Sequence, residues 1–174
     1  VSISGTSVIV GASQDDDNGA DSGSAYIYVY DTNTNTWDET KIIASDGAAS
    51  DYFGRSVSIS GTSAIVSSSL DDDNGADSGA AYIYVYDTNT NTWDETKITA
   101  SDGAASDRFG LTVSMSGTSV IVGAYQDDDN GVNSGSAYIY VYDTKTNTWD
   151  ETKIKASDGV ASDYFGFSVS ISGK

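Results

Sequence analysis

The phrase AYIYVYDTNTNTWDETKI runs from Ala25 to Ile42, returns unchanged from Ala81 to Ile98, and returns with one substitution, Lys145, from Ala137 to Ile154. Its first six residues are aromatic, β-branched or alanine, the composition that fits a pleated sheet. Successive strand side chains point to opposite faces, so Tyr26, Tyr28 and Tyr30 share one face and Ala25, Ile27 and Val29 the other. Both faces are apolar, and such a strand needs cover on both sides. DTNTNT then supplies turn chemistry, because Asp and Asn side chains bond to nearby backbone. Trp37 opens the strand that brings the chain back. When a double-sided strand recurs along one chain, copies of its own sheet can cover both faces, as in a propeller.

The period is 56 residues: Val1, Val57, Val113 and Val169 begin the same phrase, VSISG or VSMSG. The units are 1–56, 57–112 and 113–168, and 169–174 begins a further repeat whose strand is expected to be shared with another blade or chain. A period near this length with four strands per unit marks propeller blades. Within the first copy, VSIS (Val1–Ser4) and VIVGA (Val8–Ala12) flank the Gly5-Thr6-Ser7 turn as a hairpin. QDDDNGADSG (Gln14–Gly23) is a polar loop, followed by the recurring strand, the DTNTNT turn and a fourth strand over 36–44. DGAASD (Asp46–Asp51) leads through Phe53-Gly54 into the next unit. No segment carries helical periodicity. The expected fold is all-β, with three four-stranded antiparallel blades that belong to a larger or oligomeric propeller.

Copy-to-copy differences sort surface from core. Positions 43, 99 and 155 read Ile, Thr and Lys, a solvent-facing slot; positions 55, 111 and 167 read Arg, Leu and Phe, positions 52, 108 and 164 read Tyr, Arg and Tyr, and these two sites are expected to be at least partly exposed. Ile9, Val10, Tyr26, Ile27, Tyr28, Val29, Tyr30, Trp37 and Phe53 do not vary, and they form the expected core of each blade. Trp37, Trp93 and Trp149 are expected to be largely buried between blades.

The net charge is −18, with no His, Cys or Pro. Nucleic acid is excluded as a partner, since its phosphates need Lys and Arg in numbers not present. Disulfides, thiolate metal sites and His- or Cys-based triads are excluded by composition. No apolar run reaches the roughly 20 residues of a membrane helix. Val1 is not an initiator Met, and the chain reads as a piece of something longer.

The run FGRSVSISGTSAIVSSS (Phe53–Ser69), continued by DDDNGADSGAAYIYVY, resembles the FG-GAP repeat of bacterial surface proteins. VIVGA stands at Val8–Ala12 and Val120–Ala124, where the second copy departs to AIVSS. The resemblance spans all three copies. It implies the propeller fold shared with integrin α heads and an extracellular or bacterial cell-surface setting. YDTNTNTWDE is also similar to the kelch signature, although the paired glycines that precede it in kelch blades are missing. Both resemblances lead to blades.

The acidic loop carries the candidate chemistry. Asp15, Asp17 and Asp21 place oxygens at alternate positions with Gly19 for the bend, the pattern of a calcium loop. Asp71, Asp73 and Asp77 repeat it, and Asp127, Asp129 and Asn133 keep the oxygens with one charge fewer. The loop departs from integrin-type loops, which read D-x-D-x-D-G-x-x-D and lie between the first two strands. A solvated acidic turn held by Asx bonds fits the same residues, and both readings stand. Asp46 and Asp51 form a second, weaker cluster suited to turn formation. Asp38 and Glu39 are neighbours on a strand and face opposite ways, so they are no acid–base pair. Near-identical blades offer no unique catalytic set, and the chain is expected not to be an enzyme. Thr32, Thr34 and Thr36 are open to O-glycosylation, and no N-glycosylation sequon is present.

Two functional expectations follow. One is an extracellular binding or adhesion module, calcium-stabilised, with a protein or glycan ligand. The other is a building block of an extracellular array or filament. A binding head needs a distinctive patch that does not repeat, whereas a building block needs none. In either case self-association is expected through blade faces and terminal strands, as a closed ring or a head-to-tail fibre.

Overall fold

The computed structural model describes residues 1–173. Twelve strands form three four-stranded antiparallel meanders. The first blade contains β1 (Ser2–Ser4), β2 (Ser7–Ala12), β3 (Ser24–Asp31) and β4 (Thr36–Ile42). The second contains β5 (Val57–Ser60), β6 (Ser63–Ser68), β7 (Ala80–Asp87) and β8 (Thr92–Ile98). The third contains β9 (Thr112–Ser116), β10 (Ser119–Ala124), β11 (Ser136–Asp143) and β12 (Thr148–Ile154). No helix occurs among the described residues, so none is long and apolar enough to cross a membrane. The first strands of successive blades, β1, β5 and β9, are neighbours, and the fourth strands lie at the outer rim.

Each blade has a tyrosine face and an isoleucine face, as the strand alternation requires. On the second blade, Val57, Ile59, Ala64, Val66, Tyr82 and Tyr84 line the first; Ile65, Ala81, Ile83 and Ile98 line the other. The isoleucine face of one blade packs on the tyrosine face of the next, and this arrangement builds two apolar cores. Phe53 pins the first junction: it is fully buried, with its ring edge-on to Tyr82 and Tyr84 at centroid distances of 5.3 and 6.3 Å. Phe109 repeats these contacts with Tyr138 and Tyr140 at 5.3 and 6.2 Å. The glycine after each Phe is required, because a Cβ on Gly54 would stand 2.2 Å from the Ser24 carbonyl oxygen at a φ of +91°.

Cover is uneven along the chain, and several sequence expectations are corrected. Ile59 is 4% exposed but its first-blade counterpart Ile3 is 69% exposed, because no other blade among the described residues covers that face. Val10 is exposed for the same reason, while Val66 and Val122 are buried. Tyr26 and Tyr28 are half-buried, whereas Tyr82, Tyr84, Tyr138 and Tyr140 are buried. Val29, Val85 and Val141 are exposed, and Tyr30, Tyr86 and Tyr142 half-buried, because this end of the third strand, beside the turn that joins the first two strands, overhangs the core. The tryptophans stand opposite these tyrosines on the rim strands. Trp37 is exposed and Trp93 and Trp149 are half-buried, each tilted against its cross-strand tyrosine at 5.2–5.3 Å. They cap the blade junctions rather than fill them.

The fourth VSISG phrase continues the inner row without joining a sheet. The N–H of Ile171 donates to Ser114 Oγ at 3.2 Å and that of Gly173 to Ser116 Oγ at 2.8 Å. The same 57-residue step links Ile59 to Ser2 and Gly61 to Ser4. Residues 169–173 thus lie beside β9 in the place of the next blade's first strand, and Lys174 lies outside the described residues.

Candidate functional site at the blade junctions

Each acidic loop is first of all held by its own side chains. Asp15 Oδ1 accepts the Asp17 N–H at 3.2 Å, and Asp71 and Asp127 accept those of Asp73 and Asp129 at 3.1 Å. Asp16, Asp72 and Asp128 accept the N–H five residues on, from Asp21, Asp77 and Asn133, at 2.8, 2.8 and 2.6 Å. Those three residues have positive φ, 54–56°, a conformation that Asp and Asn adopt more readily than most side chains. The exchange of Asp21 for Asn133 therefore keeps the loop intact.

The linker loop runs alongside. Ser50 N–H donates to the Ala20 carbonyl at 2.8 Å and Phe53 N–H to that of Ser22 at 3.0 Å. Asp51 caps the turn by accepting the Ala48 N–H at 2.7 Å. This pairing places Asp46 over the next blade. There, Lys97 stands opposite Tyr82 in the β7–β8 register, with its ammonium 5.3 Å from the centre of the Tyr82 ring. Lys97 Nζ lies 2.7 Å from Asp46, 2.8 Å from Asp71 and 2.6 Å from Asp73. Lys153 repeats the geometry with Asp102, Asp127 and Asp129 at 2.8, 2.7 and 2.9 Å. The Tyr82 hydroxyl donates to Asp46 Oδ1 at 2.7 Å and lies 3.1 Å from Asp71 Oδ2. Just outward, Glu95 accepts the Ser45 hydroxyl at 2.6 Å and its N–H at 3.2 Å. Burial opposes the charge on Lys97, but the bonds to Asp46, Asp71 and Asp73 outweigh it and hold its pKa above the ordinary lysine value. For Asp46 burial pushes upward, and the bonds from Lys97 and Tyr82 bring its pKa below the usual 3.8.

The sequence-derived ligand sets are thus split. Asp71 with Asp73, and Asp127 with Asp129, do converge, and the third carboxylate comes from the preceding blade as Asp46 or Asp102. Carboxylate oxygens of each trio lie within 4.8 Å of one another, close enough to hold a metal ion. In both trios a lysine ammonium lies at bonding distance from all three. Asp21, Asp77 and Asn133 belong to neither trio; Asp77 faces Arg108 at 3.8 Å, and Asn133 Oδ1 accepts from Gln126 at 3.3 Å. In the first blade, Lys41 contacts Asp15 at 3.1 Å and Asp17, and has no third carboxylate among the described residues. Sequence reading passed over Lys41, Lys97 and Lys153, along with Glu95 and Ser45. The available signal was a single invariant cation in TWDETKI recurring beside an invariant acidic loop.

Three stacked meanders, joined by loops that lock each blade to the next, define a repeat protein of the β-propeller type. The FG-GAP repeat model matches residues 1–28, 37–84, 93–140 and 149–174, and the chain belongs to the FG-GAP repeat family. No curated protein matches it. Among solved structures, it is similar to a Bacteroides fragilis NCTC 9343 protein of unknown function, at 12% identity and a TM-score of 0.36. That match covers 78% of this chain and 60% of the other, so the chain spans less than two thirds of that relative.

Proposed function

We propose that this chain is an extracellular, non-enzymatic propeller module that acts by binding a protein partner at a bacterial cell surface. FG-GAP repeats are typical of surface proteins, which supports the setting. The observation that carries the binding reading is a patch that does not repeat. On the third blade, Tyr125 packs against Tyr164 and Phe167 at 5.7 and 5.5 Å, with Val132 and Val160 on the same two neighbouring loops. Val132 is 64% and Phe167 59% exposed. The first blade has Ser13, Ala20, Ala48, Tyr52 and Arg55 at these positions, and the second has Ser69, Ala76, Ala104, Arg108 and Leu111. Exposed apolar side chains gathered in one place mark protein contact surfaces, and aliphatic valines suit a protein better than a sugar. The test is a chain carrying Tyr125→Ser, Val132→Ala, Val160→Ala and Phe167→Arg, residues that the first blade already accommodates. Displayed on beads, the unaltered chain should adhere to members of a panel of extracellular matrix proteins and not to glycans, and the altered chain should lose that adhesion. Equal adhesion by both chains, or none by either, defeats the reading.

A second reading, the building block of an array, is favoured by a different observation: the two internal junctions repeat the same polar contacts, Asp46–Lys97 with Ser45–Glu95 and Asp102–Lys153 with Ser101–Glu151. Calcium is a competing proposal for the junction carboxylates. An ion there would take the place of a lysine ammonium, and a melting temperature lowered by chelator would support it.

A further inference from the structure

At the end of the blades away from the acidic loops, each internal junction opens into a cleft. One, of about 610 Å³, lies between the first and second blades, and another, of about 450 Å³, between the second and third. Both volumes fall in the range of small-molecule sites. The strand registers dictate what lines them. Val29 on β3 stands opposite Asp38 on β4, and both lie on the isoleucine face of the first blade. Tyr86 on β7 stands opposite Trp93 on β8, and both lie on the tyrosine face of the second. These faces meet at the junction, so the first cleft has a valine and a carboxylate on one wall and two aromatic rings on the other. Val85 and Asp94, facing Tyr142 and Trp149, rebuild it one blade further on.

We propose that each cleft binds a quaternary ammonium cation, with its methyl groups against Trp93 and Tyr86, or Trp149 and Tyr142, and its charge beside Asp38 or Asp94. The two rings of each aromatic wall form a corner, 5.3 Å apart between centroids and tilted by 56° and 54°. Each tyrosine is held there by its hydroxyl, which donates to Asn91 or Asn147 at 3.3 and 3.4 Å. Aromatic faces carry partial negative charge and attract cations. The carboxylate across the cleft adds a full one. Asp38 and Asp94 are exposed and lie in no ion pair among the described residues, and the only side-chain contact to either is a 3.4 Å bond from the Thr92 hydroxyl to Asp94. No Lys or Arg lines either cleft.

The walls also select the kind of cation. A primary ammonium is strongly hydrated and brings three N–H donors, to which indole, phenol ring and valine offer no acceptor. A methylated ammonium needs no hydrogen bond and gains from the same apolar contact. The chain's charge of −18 raises the local concentration of any cation and disfavours an anionic ligand. The clefts lie at the opposite end of the blades from the Tyr125 patch, so this site goes beyond the protein-binding reading and stands or falls without it.

The test is saturation-transfer NMR on the intact chain, titrating choline chloride at constant ionic strength beside its uncharged tert-butyl analogue, in which carbon replaces the nitrogen. Saturation should pass to the choline methyl groups with a dissociation constant on the order of a millimolar, and far less to the analogue. Asp38→Asn combined with Asp94→Asn should raise that constant about tenfold. Asp21→Asn combined with Asp77→Asn removes the same two charges elsewhere, installs the residue found at Asn133, and should match the wild type. Trp93→Leu combined with Trp149→Leu should abolish the transfer while urea unfolding stays cooperative. Co-sedimentation with phosphatidylcholine vesicles then separates the sources: a chain that pellets takes the cation on a lipid headgroup, and one left in the supernatant takes it free in solution. Absence of transfer to choline in the wild type, or equal transfer to the analogue, overturns the assignment. So does a constant that neither the Asp38 and Asp94 pair nor the tryptophan pair alters, or one that both Asp→Asn pairs weaken alike.

Discussion

Replacing Lys97 with Met separates the charge at the junction from its packing, since the side chain keeps its unbranched apolar stem and loses its ammonium. Three carboxylates with oxygens within 4.8 Å of one another then face each other without a cation. Two charges at 4 Å repel by about 1 kcal/mol in water and by about 4 kcal/mol at the effective dielectric near a protein surface. Asp71 is buried and Asp46 and Asp73 are open to solvent, so the pairs involving Asp71 approach the larger figure and the third pair the smaller. Part of this is relieved when a carboxyl takes up a proton or an ion. A net cost of about 3 kcal/mol is the low end for breaking a buried pair. In a chain of this size it corresponds to a melting temperature about 6–12 °C lower. Calorimetry or circular dichroism at low salt reads the loss, and half-molar salt should shrink it. Millimolar calcium should restore the variant by occupying the vacated centre and leave the wild type unmoved. Lys41→Met, which removes a more exposed lysine from only two carboxylates, should cost less. A Lys97→Met chain that melts with the wild type in low salt and chelator would show that the ammonium does not hold the junction. A wild type stabilised by calcium would favour the metal.

Phe53 and Phe165 occupy the same place in the repeat, but Phe53 is buried between blades and Phe165 is half-buried at the end. Phe53→Ala should destabilise the chain by about 3–5 kcal/mol in urea unfolding, and Phe165→Ala by clearly less when the chain is monomeric; equal costs would contradict the end-face assignment. Burial, followed by the charges of Asp127 and Asp128, pushes the Asp107 carboxyl up to about 6 against the opposing bond from Ala104 N–H, and Asp51 is raised by burial as well. A raised acid binds its proton more tightly in the folded state, so stability should fall as pH rises from about 4 to 6. Asp51→Asn combined with Asp107→Asn should flatten that slope, and an unchanged pH profile in denaturation series would refute it.

The blades were legible because their signals are local. The apolar run of Ala25–Tyr30, the Asx-rich turn and the 56-residue period each specify strands, a hairpin and stacking without reference to anything distant. Burial was legible only for a generic blade. Val10 and Val66 occupy the same strand position, yet only Val66 is covered, and that depends on the place of the blade in the stack. The rim tryptophans were misjudged because periodicity along a strand gives the face and not the radius. The acidic loop was identified, but the use of its third residue was not. Asp21 serves a positive φ, a backbone demand that the spacing of oxygens imitates. Asp46 reaches its trio from the preceding blade, and Lys97 is separated from it by 51 residues. A juxtaposition of that kind is set by how the blades meet, which one repeat read alone does not contain.

How the blades meet also explains why a chain with so few cations keeps one at each junction. The tyrosine and isoleucine faces supply apolar area, but area is indifferent to a slide of two residues along the strand, which restores the same faces to each other. Near-identical blades make this ambiguity worse, because each wrong register buries nearly the same side chains. Directional contacts between named atoms remove it: Asp46 with Lys97 and Tyr82, Ser45 with Glu95, Tyr84 with the Ile43 carbonyl. A slide of two residues would part Asp46 from Lys97 and Tyr82 and Ser45 from Glu95, losing an ion pair and several hydrogen bonds for no gain in apolar burial. The acidic loops that give the chain its charge of −18 lie at those same junctions, so the lysine that fixes the register also neutralises the place where stacking would otherwise bring most negative charge together.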